Sequence, residues 1–151
     1  MTKYYSGDED IERAARGVLD RSLPKAEWTH AAHFAVTLWL LRHRPDTALE
    51  ARMPSFIRAY NEATGVRNTE TSGYHETITL ASITAARAFL GRHPTAQPLH
   101  EIMDRLMNSP LGRSDWPLAY WSRERLFSAK ARRCWIDPDL QPFGGEIELA
   151  P

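Results

Sequence analysis

The chain carries a single cysteine, Cys134, so no disulfide can form within it and a small disulfide-stapled scaffold is excluded. It also has no long apolar run. The most hydrophobic stretch, about residues 34–41, is far short of the ~20 residues that a membrane-spanning helix needs. An excess of either charge is missing too: lysine plus arginine and aspartate plus glutamate number 19 each, so no net field draws the molecule to nucleic acid or to an anionic membrane. The opening residues MTKYYSGDED are too polar and acidic for a secretory signal, which makes the cytoplasm the expected compartment. Without internal repeats or low-complexity tracts, the 151 residues read as one domain, long enough to bury a real core.

Proline and glycine punctuate a series of helical patterns. The spacing predicts a first helix over about Asp8–Leu19, with Ile11, Ala14, Ala15, Val18 and Leu19 on one stripe and an acidic first turn. A second, the most hydrophobic and therefore central, is expected to start near Pro24 and end at Arg42–Arg44. A third follows Thr47 and Glu50, which stand in capping-box spacing; Pro54 should kink or divide it, and Gly65 should stop it. A fourth is expected from between Asn68 and Gly73 to Phe89–Leu90, and a fifth over Leu99–Met107. A sixth should follow Asp115 and Pro117 and continue to about Arg132, leaving residues 137–151 as an irregular tail. The expected fold is thus all-α, a compact antiparallel bundle of about five or six helices.

Short connections make successive helices antiparallel, so the start of the second, the end of the third and the starts of the fourth and sixth should share one pole. That pole collects Trp28, His30 and His33, then Tyr60, Asn61 and Glu62, then Tyr74, His75 and Glu76, and finally Tyr120, Trp121 and Arg123. His30 and His33, three apart, face the same way on a helix. His30 and His75 each border a core-facing stripe, whereas the direction of His33 and Glu76 depends on helix rotation.

Neutral imidazoles with a carboxylate form a common shell for zinc, iron or manganese, and helical bundles build such centres between facing helices. The first expectation is therefore a small-molecule enzyme holding a divalent metal through His30, His33 or Glu62, His75 and Glu76. The H-E-x-x-H and paired E-x-x-H signatures are not present. The alternative uses the same residues without metal, with His30, His75 and Glu76 moving protons, Tyr60 and Asn61 orienting an oxygen, and Trp28, Tyr74, Tyr120, Trp121 and Arg123 holding the substrate. Such a site suits a lyase, isomerase or cyclase. A third reading is a ligand-binding or protein-interaction bundle in which the histidines only shape the pole. A histidine beside an apolar face commonly bonds a backbone carbonyl, and one of the three is expected to do so. The expected partner is a small molecule rather than nucleic acid or membrane; the oligomeric state is open, a homodimer included.

Overall fold

The computed structural model describes residues 1–144. Among them there is no β-strand; seven α-helices are joined by short turns and three 3-10 turns, as the periodicity implies. No helix of the described residues is long and apolar enough to cross a membrane. Helix α1 (Asp8–Leu19) packs Ile11, Ala14, Ala15 and Val18 against α2 (His30–His43), which buries every residue from Phe34 to Leu40 and also packs on α4 and α5. This confirms α2 as the central helix.

Its start differs from the expectation. Pro24 leads only a 3-10 turn, Lys25–Glu27, and the α-helix begins at His30 because the Thr29 hydroxyl accepts from the Ala32 N–H at 3.2 Å. The shift puts both histidines in the first turns of α2.

Helix α3 (Leu49–Ala63) does not use the expected capping box: Ala48 is its N-cap, and the Glu50 carboxylate instead pairs with Arg87 on α4. Pro54 lies inside α3 without dividing it. At the far end, Gly65 adopts φ +82°, and the Gly65 and Val66 N–H groups donate to Glu62 O (3.2 Å) and Asn61 O (2.8 Å). That paired closure is a Schellman motif, which is why the helix stops where glycine falls.

Helix α4 (Glu76–Gly91) starts later than the sequence suggests, since residues 66–75 build a loop around Asn68. The Asn68 Oδ1 accepts from Asn61 Nδ2 (3.0 Å) and from the Tyr74 N–H (2.9 Å), and its Nδ2 donates to Arg58 O (3.3 Å). Gly73 closes the loop at φ +79°; a Cβ there would lie 2.5 Å from Arg67 O and 2.6 Å from Asn68 Oδ1. No other residue fits without moving backbone.

Helix α5 (Leu99–Met107) has the expected bounds. Pro98 offers its N-terminus no side-chain acceptor, and Asp8 of α1 supplies one, accepting from the N–H groups of Leu99 (3.0 Å) and His100 (2.8 Å) and contacting His100 Nδ1 at 2.7 Å. The acidic start of α1 therefore serves two helices.

The expected sixth helix is broken into a 3-10 turn (Trp116–Ala119), α6 (Arg123–Leu126) and α7 (Ala129–Arg133). Ser122 and Ser128 each take extended backbone and accept from the N–H three residues on, restarting the helix twice. Between the pieces Trp121 is fully buried, its indole N–H donating to Ile136 O at 3.0 Å. Of the expected irregular tail, residues 137–144 lack helix, and residues 145–151 lie outside the described residues.

Candidate functional site

The start of α2, α3 from Met53 to Asn61, the 66–75 loop and the start of α4 enclose a cavity of about 400 Å³, within the 300–1,000 Å³ usual for small-molecule sites. Met53 and Ile57 of α3, Val66 of the loop and Ile78 and Ile83 of α4 make its apolar walls. Polar atoms enter from Trp28, His33, Thr37, Asn61, Tyr74, His75, Thr79 and Ser82. The convergence of three helix ends is as the connectivity implies.

The three histidines are used differently. His75 is the N-cap of α4: its Nδ1 accepts from the Ile78 N–H at 3.1 Å, and its Nε2 donates to Leu126 O at 2.7 Å. Both ring nitrogens are thereby engaged, which fixes the Nε2–H tautomer. Desolvation is the largest influence on His75 and holds its pKa below the usual imidazole value, with Arg132 acting in the same direction. The neighbouring Thr77 hydroxyl bonds Ala131 O at 2.7 Å, so α4 is docked on α6 and α7 through its first turn. His30 lies outside the cavity lining: its ring packs edge-on against Phe34, and its Nε2 contacts Leu111 O at 2.8 Å. Two histidines of the three, rather than one, are thus held by backbone carbonyls.

His33 alone among these three has no hydrogen bond to its ring nitrogens from the described residues. It stacks on Trp28 with ring centroids 3.8 Å apart, and Trp28 in turn leans on Tyr60 at 5.4 Å. By surface area the residue is exposed, and it lines the cavity. Desolvation, with a smaller contribution from the charge on His30, pushes its pKa down to about 4, so the ring is neutral at pH 7. One nitrogen can then donate and the other accept.

The other expected site residues divide in the same way. Tyr60 is fully buried and donates to Leu23 O at 2.7 Å, a core role outside the cavity. Asn61 does line the cavity, with its amide on Asn68. Glu62 is exposed and Glu76 does not line the cavity; the Glu76 carboxylate accepts from the Tyr74 hydroxyl. Desolvation first, then this bond, raises the Tyr74 pKa well above the usual phenol range. Tyr120, Trp121 and Arg123 are not in this cavity: Tyr120 borders a separate cleft, Trp121 is core, and Arg123 lies exposed over Phe127. Among the described residues, no three His, Cys, Asp or Glu side chains are placed to share one ion, so the proposed ligands His30, His33, Glu62, His75 and Glu76 are not gathered.

Sequence reasoning missed Thr37 and Ser82 as lining residues. Their hydroxyls bond their own helices, at His33 O and Ile78 O (both 2.7 Å), while remaining at the cavity wall. The available signal was a hydroxyl on each of two apolar stripes. The chain matches no protein-family model, no curated protein and no solved structure.

Proposed function

We propose that the chain binds a small, mostly apolar, uncharged molecule in the α2–α3–α4 cavity, and that neutral His33 receives its one hydroxyl or N–H group. The observation that carries this reading is the state of His33, an imidazole without a protein hydrogen bond, stacked on Trp28 at 3.8 Å at the wall of a largely apolar space. A buried charge on a ligand would lack a counter-ion there, whereas a single hydroxyl finds an acceptor. Phenol, an apolar ring with one O–H, is a suitable probe. Titrated into isotope-labelled protein, it should shift the NMR signals of His33, Trp28, Ile57 and Ile78 together and saturably, and His33→Phe should weaken it about tenfold, the worth of one hydrogen bond of ~1.4 kcal/mol. Absence of saturable shifts, or equal affinity in His33→Phe, would overturn the proposal.

A second reading is metal-free acid–base catalysis by the same ring. The observation that favours it is a ring nitrogen without a protein hydrogen bond at the cavity wall, which can accept a proton from a bound molecule. On a turned-over substrate the rate should then fall as pH drops towards the His33 pKa and vanish in His33→Phe; a pH-independent rate in that window would exclude it.

A further inference from the structure

The 67–74 loop also borders a second recess of about 260 Å³, which shares Tyr74 with the cavity and is lined by arginines from two elements distant in sequence. Arg58 comes from α3, with its guanidinium carbon 4.6 Å from the centre of the Tyr74 ring. Arg132 and Arg133 come from α7. Arg132 is held rather than free to swing: its Nη1 donates to Gly73 O (3.0 Å) and Tyr74 O (3.4 Å). Its Nε is buried and has no hydrogen-bond partner, a donor left unsatisfied in a folded interior where nearly all are satisfied. Neither Arg58 nor Arg132 has a carboxylate within ion-pair distance among the described residues, whereas Arg133 pairs with Glu70 at 3.2 Å on the exposed rim. The Thr69 hydroxyl opens onto the same recess, already organised by the Thr71 and Ser72 N–H groups that donate to it.

We infer that this recess is an oxyanion site, built to take the phosphate group of a small phosphate monoester or inorganic phosphate itself. Planar guanidinium groups fixed by stacking and by backbone carbonyls are pre-organised forks for phosphate oxygens, and little further side-chain entropy is lost on binding. Two cations without acidic partners match a dianion, and Glu70 on the rim disfavours larger polyanions that would reach past Arg133. The volume is several times the ~30 Å³ share of one water, which leaves space for an organic residue attached to the phosphate. The shared Tyr74 makes the loop a wall common to both spaces, but this site stands independently of what the apolar cavity binds.

Inorganic phosphate, titrated into the full chain at constant ionic strength and followed by amide and arginine side-chain NMR shifts, tests the inference. It should move residues 58, 69–74 and 132–133 saturably, with a dissociation constant on the order of 1 mM. Arg58→Gln, an exposed change that leaves the loop hydrogen bonds intact, should weaken phosphate about tenfold, and Arg133→Gln by a smaller factor because its charge is shared with Glu70. Acetate at the same ionic strength should bind more weakly than phosphate. The inference fails if phosphate produces no saturable shifts, if chloride reproduces them, or if both variants bind as the parent does. Acetate binding more tightly than phosphate would overturn the phosphate assignment in favour of a carboxylate.

Discussion

The starts of α2 and α4 face the same cavity, and each brings a histidine to it, yet the two rings do opposite work. His75 is the cap residue itself, outside the helical ladder, so its ring folds back onto the Ile78 N–H and reaches across to Leu126 O. His33 sits one turn inside α2, where the helix satisfies its backbone and the ring projects from the helix surface onto Trp28. A cap histidine is structural because the orphan N–H groups of a helix end compete for it; a histidine one turn later escapes that competition. The comparison separates a residue that holds the site from one that faces the ligand.

Breaking the structural side should cost the most stability. His75→Ala removes a cap and leaves a buried carbonyl at Leu126 without its donor, for an expected loss of about 2–4 kcal/mol in chemical denaturation; a loss below about 1 kcal/mol would show that the Leu126 bond is incidental. Gly73→Ala forces a side chain into a left-handed position against Arg67 O and Asn68 Oδ1 and should cost roughly 1–3 kcal/mol, while disturbing Tyr74 and His75 amide shifts. Asp8→Asn, at the start of α1, tests a third helix end, that of α5. Desolvation opposes ionisation of Asp8, but the bonds from His100 and Leu99 prevail and hold its pKa below the usual carboxylate value. That contribution is present above the unfolded pKa and disappears as pH falls through the lower folded value. The variant should lose about 1 kcal/mol at pH 7 and converge with the parent in acid.

The smallest stability change belongs to the functional side. His33→Gln should alter stability by under about 1 kcal/mol at pH 7, since the stack on Trp28 is lost but no hydrogen bond to the ring is. Below the usual imidazole pKa of ~6.5 the unfolded chain binds a proton that native His33 refuses, so stability falls as pH drops from there towards about 4. Denaturation midpoints measured across that window should therefore show a shallower acid decline in the variant; His75 contributes a slope of the same sign that persists in both proteins.

Much of the frame is legible in the chain. Leu99, Ile102, Met103 and Leu106 between Pro98 and Pro110 define α5 at both ends, and Gly65 announces the end of α3 because only glycine closes that turn cheaply. The cavity's place follows from connectivity. What stays hidden is the competition among local caps. Ser122 and Ser128 look like ordinary residues in a helical run, yet each recruits a downstream N–H and ends the run, which carries Tyr120 and Arg123 away from the cavity. Histidine is an unusual cap, so the sequence points to a start of α4 between Asn68 and Gly73, where Asn68, Thr69 and Ser72 serve the loop instead. The same uncertainty of start, Pro24 against His30, concealed which face of α2 His33 would occupy.

Histidine ring signals followed by NMR over pH, with and without phenol, test the division of labour most directly. His75 should keep its locked Nε2–H tautomer with and without phenol, and His30, outside the cavity, should be indifferent to phenol, while His33 titrates well below ~6.5 and shifts as phenol binds. A His33 that titrates like a free imidazole and ignores phenol, or a His75 that responds in its place, would contradict the account.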